Sequence, residues 1–203
     1  EKVEQLVNYF LDGMVKQCIY GIYEDWNVKN RAVSRMSPFH PRSSFMAKQL
    51  LEVTGYRSDE LQEVILLREG KVAPSASFAK FFWQTEHFVF QRPDFFTSVR
   101  MFSTRNRNME KPYNSEGLKN HHKADGSSFL SVRGDEYDGI WPVYDWQKIP
   151  GSTILQKRAL PDPPEIQKEG LTNFVGAVTD GMYGAVAFDF VSPHNLVKAH
   201  KSW

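Results

Sequence analysis

The chain has 203 residues, and its 25 basic and 24 acidic side chains give a net charge of +1 with neutral histidines. This balance disfavours a nucleic-acid binder, because such proteins carry a strongly basic surface and only a short basic cluster, "RNRN" at Arg105 to Asn108, is present here. No run of about 18 apolar residues occurs, so the sequence predicts no membrane-spanning helix. The single cysteine, Cys18, excludes an internal disulfide and favours a small buried side chain over a nucleophile.

The two ends of the chain interrupt regular patterns. It opens on Glu1 inside an amphipathic segment and closes on "KAHKSW" without a turn or a breaker before the last residue. We therefore expect a piece of a longer protein, with any targeting segment lying outside it.

The first third of the chain has the apolar spacing of helices. In residues 1–18 apolar side chains recur at i, i+3, i+4 and i+7, which predicts one amphipathic helix. Its predicted face consists of Val3, Leu6, Val7, Phe10, Leu11, Met14, Val15 and Cys18. Residues 43–54 repeat the pattern, and Gly55 is expected to end that helix. Ser58 or Asp59 is expected to cap a third helix that ends near Gly70.

Aromatic and β-branched runs replace the helical pattern after residue 77. They predict strands at "HFVFQR", "FFTSVRMFS", "SFLSVRG", "FVGAV" and "YGAVAFDF", with Asp180 and Gly181 in a hairpin turn between the last two. The proline-rich run "QKRALPDPPEIQKEG" predicts an exposed loop. Helices followed by strands indicate an α+β chain, with a helical part at 1–70 and an antiparallel β part at 71–203.

Two groups of polar residues are candidates for a site. Arg31 and Arg35 are four residues apart, so a helix would place both guanidinium groups on one face, where they suit carboxylate or sulfate oxygens. Spacing alone favours an ordinary solvated face with salt bridges. In "MEKPYNSEG", Glu110, Asn114 and Glu116 could hold an arginine or bind sugar hydroxyls, although the segment alone is more typical of a turn.

A metal site is not predicted from the histidines. His121 and His122 are adjacent, and adjacent side chains point in different directions in most backbones, while no further ligand stands at a standard spacing. We therefore predict no cofactor and leave a divalent cation open. The patterns typical of common hydrolases, metalloproteases and nucleotide-binding proteins are absent from the sequence.

The aromatic residues of the β part allow two interpretations, a sandwich core or platforms that stack on sugar rings. Trp141 and Trp146 lie in sequence typical of loops, which favours sugar contact at these two positions. A non-catalytic carbohydrate-binding β-sandwich with packing helices is therefore one hypothesis for the whole chain.

A second hypothesis comes from resemblance. Residues 134–153, "GDEYDGIWPVYDWQKIPGST", resemble the signature of the polysaccharide lyases that cleave chondroitin sulfate, dermatan sulfate, hyaluronan or xanthan. "NRAVSR" is similar to a segment of that family that contains two arginines. "FVGAVTDGMYGAVAFDF" is similar to one of the family's hairpins. The resemblance runs from about Asn27 to the C-terminus. The run "FFWQTEHFVFQRPDFFTSVRMFS" looks nearest to the broad-specificity, ABC-type chondroitin sulfate lyases.

The resemblance implies a fold and an activity. Residues 1–70 would be the last helices of an α/α toroid, and 71–203 the first part of a central antiparallel β-sandwich. The implied reaction is β-elimination at a uronic acid, which leaves a 4,5-unsaturated uronate. The implied partners are an anionic glycosaminoglycan and the remaining domains of the parent chain, with no nucleic acid and no membrane, in a secreted or periplasmic bacterial protein.

The resemblance also implies roles for individual residues. Arg31, Arg35, Glu110 and Glu116 would be catalytic, and Asn114 would bind substrate. Trp141 and Trp146 would first pack where the helical domain meets the β domain, with substrate binding through sugar contact as their second role. One extra residue between Glu110 and Asn114 leaves open which glutamate orients the arginine pair. The family's asparagine, histidine and tyrosine lie upstream of that pair, and nothing in residues 1–30 matches their motif, so Tyr20, Tyr23 and Asn27 receive no role.

Overall fold

The computed structural model describes residues 1–16, 43–73, 75–109, 121–133, 136–137, 143–158, 167–194 and 196–203, together with the backbone at 19–20 and 23–24. Within these ranges, no helix has both the length and the apolar character needed to cross a membrane. The chain forms two compact units. The helical unit comprises Glu1–Ser77, Gln91–Phe96 and Ser131–Asp138, and the β unit comprises Phe78–Phe90, Thr97–Leu130 and Gly139–Trp203.

The helices of the helical unit form where apolar periodicity predicts them. The elements are α1 (Lys2–Asn8), a π-helix (Tyr9–Val15), α2 (Phe45–Val53), α3 (Ser58–Arg68) and two short paired strands, β1 (Ile19–Tyr20) and β2 (Tyr23–Glu24). The first predicted helix therefore forms, but its second half has the wider i→i+5 hydrogen-bond pattern of a π-helix. Cys18 lies outside the described residues.

The core of the helical unit is apolar. It consists of Val7, Phe10, Leu11, Val15, Ala47, Leu50, Leu61, Val64 and Ile65. The buried stripe on the first helix is narrower than the predicted face, because Val3, Leu6 and Met14 are 40–47% exposed.

The helix ends differ in part from the prediction. Thr54 ends α2 in an extended conformation, directly before Gly55, so no left-handed glycine forms the cap. The predicted cap of α3 at Ser58 or Asp59 is wrong, because Arg57 is the N-cap residue, with φ +51°, and its side chain accepts no bond from the backbone N–H groups of the first turn. At the other end, Gly70 has φ +69°, and the N–H groups of Gly70 and Lys71 donate to the carbonyls of Leu67 and Leu66. This pair of bonds is a Schellman motif, which confirms the predicted end near Gly70.

Arg57 joins two helices through its guanidinium group. Its N–H groups donate to Asp12 at 2.7 and 2.9 Å, to Glu60 at two distances of 2.6 Å, and to Asn8 at 2.8 Å. These five bonds use all five donors of the guanidinium. The bonds from Arg57 are the main cause of a lowered pKa at both Asp12 and Glu60.

Two larger sheets follow the helices in the chain. The strands are β3 (Phe78–Phe82), β4 (His87–Arg92), β5 (Phe95–Arg100), β6 (Ser127–Ser131), β7 (Val175–Thr179), β8 (Gly184–Val191) and β9 (Lys198–Ser202). The sheet orders are β3-β4-β5-β6 and β7-β8-β9, and the pairs β7–β8 and β8–β9 are antiparallel. The five predicted strands are confirmed, whereas β3 and β9 were not predicted. The α+β class is thus confirmed.

The hairpin between β7 and β8 forms at the predicted turn. Asp180 Oδ1 accepts hydrogen bonds from the N–H groups of Met182 and Tyr183 at 2.8 and 2.7 Å, and Gly181 has φ +93°. Alternation along β8 places Val186, Phe188 and Phe190 in the core of the β unit. The remaining buried members of that core are Ala79, Phe88, Val99, Met101, Phe102 and Ala124.

The end of the predicted exposed loop at 156–170 is part of the fold instead. Residues 168–172 pair with 104–108 through backbone bonds, among them Gly170 N–H to the Asn106 carbonyl at 3.2 Å. A Cβ on Gly170 would lie 2.3 Å from the carbonyl carbon of Ser103, so only glycine fits there. Gly170 is buried, whereas residues 156–158 are exposed as predicted.

Candidate functional site

Most of the predicted site residues lie outside the described part of the chain. These are Arg31, Arg35, Glu110, Asn114, Glu116 and Trp141. Trp146 is described, and it is half-buried with its ring edge-to-face against Tyr144, at 5.0 Å between centroids and 87°. The catalytic and substrate-binding roles of all seven residues stay predictions.

The two flanks of the segment that contains Glu110, Asn114 and Glu116 are described, and Asn108 joins them. Asn108 is fully buried, and its side-chain N–H donates to the His121 carbonyl at 2.6 Å. Its side-chain oxygen accepts a bond from the Lys168 N–H at 2.8 Å. One amide side chain therefore holds residue 121 and residue 168 next to residue 108, which closes the base of the 109–121 segment.

Two buried histidines, His121 and His122, and the half-buried His194 extend this base. The rings of His121 and His122 lie 4.2 Å apart, and His194 lies 5.2 Å from His121 and 6.0 Å from His122. The expectation that the adjacent histidines diverge is therefore wrong, because a turn places both rings in the interior. Within the described ranges no group of His, Cys, Asp or Glu side chains has the arrangement of a metal site.

Asp125 adds a buried carboxyl group to this cluster. Its Oδ2 lies 2.6 Å from His122 Nδ1, and both side chains are almost fully buried. Burial raises the pKa of Asp125, and the hydrogen bond from His122 opposes that effect. Asp125 Oδ1 has no hydrogen-bond partner among the residues that the structure describes.

Lys201 connects β9 to the backbone at Asp125 and to the end of the signature segment. Its ammonium group donates to the backbone carbonyls of Asp125, at 3.1 Å, and of Gly151. Burial lowers the pKa of Lys201 to about 8. Gly151 has φ +77°, and a Cβ there would lie 2.6 Å from the Gly126 carbonyl oxygen. The "IPG" of the signature thus packs backbone against backbone on the Asp-Gly turn that follows the histidines.

Glu86 is a second buried carboxylate in the β unit. It accepts bonds from the Ser103 N–H at 2.8 Å, the Ser103 hydroxyl at 2.5 Å, Arg105 at 2.5 Å and Asn106 at 3.1 Å. Four donors on one carboxylate offset the cost of burying its charge. This network sets the course of the chain at 103–106, directly before the segment that contains the predicted glutamates.

A basic cavity of about 410 Å³ opens beside these residues. We call it the basic cavity; its charged lining residues are Arg100, Arg105, Arg107, Lys123 and Glu169. Arg107 donates to Gln167 at 2.7 Å and lies 3.6 Å from Glu169. The arrangement can bind an anion through guanidinium donors.

Sequence reasoning missed Asn108, Glu86 and the basic cavity. The cluster "RNRN" was the one available signal for the cavity, because it contains Arg105 and Arg107. Nothing in the local sequence distinguishes Asn108 or Glu86 from surface residues, since their side chains bond to residues 13 to 60 positions away.

The family profile "Polysaccharide lyase family 8, super-sandwich domain" matches residues 77–203. Chondroitinase-AC of Pedobacter heparinus is 30% identical over the whole chain, which spans 29% of that relative.

Solved structures agree with the sequence comparison. A chondroitinase AC lyase studied as oligosaccharide complexes has a TM-score of 0.84 at 28% identity, covering 100% of this chain and 30% of that one. The Streptomyces coelicolor chondroitin AC lyase in complex with chondroitin sulphate has a TM-score of 0.72 at 23% identity, covering 98% and 33%, and supports the fold alone. The chain spans about a third of the length of these relatives. On the profile match, the chain belongs to polysaccharide lyase family 8.

Proposed function

We propose that this chain is part of a lyase that cleaves uronic-acid-containing glycosaminoglycans by β-elimination, with chondroitin or dermatan sulfate as the first substrates and hyaluronan as the next. The proposal rests on the family match over residues 77–203. The names of two relatives at 30% and 28% identity, which refer to chondroitinase, support the substrate class. The ABC-type subtype stays a prediction from sequence. A purely carbohydrate-binding module is not favoured, because the matched relatives are lyases.

In the proposed reaction the C5–H and C4–O4 bonds of the uronate break, a C4=C5 double bond forms, and the abstracted proton ends on O4 of the departing sugar. Arg31 and Arg35 hold the anionic chain and lower the pKa of the tyrosine base. Glu110 or Glu116 orients these arginines, and Asn114 contacts the substrate. The base and the group that neutralises the uronate carboxylate are supplied by residues upstream of Glu1.

The described geometry supports a positioning role for the β unit in this reaction. Asn108 closes the base of the segment that contains Glu110, Asn114 and Glu116, and Glu86 holds the chain that leads into it. Buried hydrogen bonds thus fix the described backbone on both sides of that segment, and a catalytic site requires well-positioned supporting residues.

Three further points belong to the same proposal. Residues 1–70 form the last helices of an α/α toroid, Trp141 and Trp146 contact sugar rings, and the protein is secreted or periplasmic. The support for each is the resemblance of the sequence to the lyases. No divalent cation is assigned.

The test is the ultraviolet absorbance of unsaturated uronate released from chondroitin sulfate, dermatan sulfate and hyaluronan. We expect product from the full-length protein that contains this chain and none from the 203-residue chain alone. Binding of the polysaccharides without any product from the full-length protein would contradict the proposal and favour a binding module. Product from the chain alone would place the base inside it.

A further inference from the structure

The sheet β7-β8-β9 has an inner face in the core and an outer face. Phe188 and Phe190 of β8 lie in the core, so Asp189 between them lies on the outer face. Asp189 pairs with His200 of β9, and its N–H donates to the carbonyl of Phe174, directly before β7, at 3.1 Å. Phe174, Asp189 and His200 therefore form one row across the outer face, which we call the outer row.

The three side chains of the outer row lie side by side at the surface. The rings of Phe174 and His200 are 15° from parallel, with 6.4 Å between their centroids. Asp189 Oδ1 lies 2.7 Å from His200 Nδ1, which fixes the orientation of the imidazole. Phe174 is 48% exposed, and the side chains of Asp189 and His200 are 54% and 65% exposed. The outer row therefore presents aromatic surface and polar atoms to solvent together.

Two polar atoms of the outer row are open to a ligand. In the part of the chain that the structure describes, Asp189 Oδ2 and His200 Nε2 have no hydrogen-bond partner. A carboxylate oxygen accepts hydrogen bonds, and a neutral imidazole that donates from Nδ1 accepts at Nε2. The outer row thus offers two acceptors beside an aromatic ring.

Small residues leave space next to the outer row. Gly176, Ala187 and Ser202 pair with one another across the three strands, two residues along from Phe174, Asp189 and His200 on the same face. A Cβ on Gly176 would lie 3.5 Å from the Phe174 ring, so the ring lies against this glycine. Because the neighbouring row has no large side chain, a ligand of the size of a sugar can approach the ring from that side.

We propose that the outer row is a binding subsite for one N-acetylhexosamine ring of the polysaccharide. The inference rests on the proposed function for the identity of the polymer. The apolar C–H face of the sugar packs on the Phe174 ring, and a sugar hydroxyl donates to Asp189 Oδ2 in a charge-assisted bond. Asp189 disfavours a uronate at this position, because two carboxylates repel each other. The chemistry of the row therefore selects the uncharged ring of the repeating disaccharide.

The experiment measures the protection of His200 in the full-length protein that contains this chain. Diethyl pyrocarbonate modifies accessible imidazole nitrogens, and mass spectrometry gives the rate at each histidine. An Arg35→Ala background is used to keep a chondroitin hexasaccharide intact. We expect His200 to be modified in the free protein and to react about fivefold more slowly, or less, with saturating hexasaccharide. His87 is fully buried and serves as the unreactive reference.

A substitution at Phe174 tests whether the ring carries the binding. Phe174→Leu keeps an apolar side chain but removes the ring face, so the hexasaccharide concentration that halves the modification rate should rise about fivefold. The matched control is Trp83→Leu, because Trp83 is an exposed aromatic residue between β3 and β4, outside the sheet β7-β8-β9. This control should change that concentration by less than about twofold. An equal rise in both variants would overturn the inference.

Two monosaccharides separate the possible ligands. N-acetylgalactosamine should slow the modification of His200, whereas glucuronate should not. Equal or stronger protection by glucuronate would overturn the assignment to a hexosamine, and no protection by the hexasaccharide would overturn the subsite. A His200 that is unreactive in the free full-length protein would also overturn it, because another part of that protein would then cover the outer row.

The proposed function and this inference fail separately. If the wild-type full-length protein forms no unsaturated product, the proposed function fails, while protection of His200 by N-acetylgalactosamine still decides whether the outer row binds a sugar. If product forms and Phe174→Leu leaves the protection of His200 unchanged, the inference fails and the proposed function stands.

Discussion

A carboxyl group in the helical unit and one in the β unit have pKa values shifted in opposite directions. In the helical unit, Asp12 lies at a partly exposed surface, and hydrogen bonds from Arg57 lower its pKa. In the β unit, Asp125 lies in the interior, and burial raises its pKa. The helical unit has an apolar core with its charges outside, whereas the β unit buries carboxylates, histidines and an asparagine. This polar interior includes residues 108 and 121, the two described flanks of the predicted catalytic segment. An apolar core would give more stability there, but it could not anchor the backbone through hydrogen bonds.

The largest expected difference between the two units is the loss of stability when a glycine is replaced by alanine. Gly170→Ala puts a Cβ 2.3 Å from the Ser103 carbonyl carbon, so the paired segments 104–108 and 168–172 must separate. We expect a loss of about 4 kcal/mol in the free energy of unfolding, measured by urea denaturation. The control is Gly55→Ala in the helical unit, where nothing lies within 4 Å of the new Cβ. A change of less than about 1 kcal/mol for Gly170→Ala would contradict the close packing.

The next effect concerns the buried carboxylate of Glu86. Glu86→Gln keeps the shape but replaces one acceptor oxygen by a donor, which then faces a donor of Ser103, Arg105 or Asn106. Leaving a buried donor without an acceptor predicts a loss of about 2–3 kcal/mol in the free energy of unfolding. A urea midpoint equal to that of the wild type would show that the network contributes no stability.

A smaller effect is expected from the corresponding change in the helical unit. Arg57→Gln removes the bonds to Asp12 and Glu60, which are 39% and 51% exposed at their side chains and can be solvated by water. The replacement also needs φ +51°, so the backbone cost is the same in both proteins. We expect a loss of about 1 kcal/mol by thermal or urea unfolding. A loss greater than that of Glu86→Gln would reverse the comparison between the units.

The pH dependence of stability should have opposite signs for the carboxylates bonded to Arg57 and for the buried carboxyl group of Asp125. Asp12 and Glu60 have folded pKa values below the ordinary 3.8 and 4.5, so their contribution is present above those values and is lost as pH falls through the lowered pKa. Asp125 has a folded pKa above 3.8, so the folded state binds more protons there, and stability falls as pH rises from 3.8 to that pKa.

Difference measurements isolate these contributions. Subtracting the unfolding free energy of Arg57→Gln from that of the wild type should give a value that decreases as pH falls below about 4.5. Subtracting that of Asp125→Asn should give a value that decreases as pH rises above 3.8. The same slope sign in both differences would show that Asp125 is not penalised by burial.

The sequence predicted the parts of the fold that local periodicity determines. Apolar spacing located the helix over Lys2–Val15 and its neighbours, and alternation located β8 with Val186, Phe188 and Phe190 inside. It did not predict β9, because polar lysines and a histidine alternate there and the strand exists only by pairing with β8. The cap at Arg57 was missed because a left-handed arginine is uncommon, and long-range bonds to Asp12 hold it there.

The family was predicted from resemblance to a sequence signature, not from local periodicity. The resemblance of "GDEYDGIWPVYDWQKIPGST" to the lyase signature identified the family, which the profile match over residues 77–203 confirms. Asn108 and Glu86, which lie at or before the flanks of the predicted catalytic segment, could not be recognised from sequence. The neighbouring residues do not distinguish a buried asparagine or glutamate from an exposed one. Short-range patterns cannot show which polar residue receives its partners from distant loops.

The most direct test of the account is the rate of unsaturated uronate release by the full-length protein with Arg35→Ala, compared with Arg158→Ala as an exposed control. Loss of a donor that stabilises the transition state predicts a drop in kcat of about a hundredfold or more for Arg35→Ala and an unchanged rate for the control. An unchanged rate for Arg35→Ala would contradict the assignment of this chain to the arginine side of a lyase site.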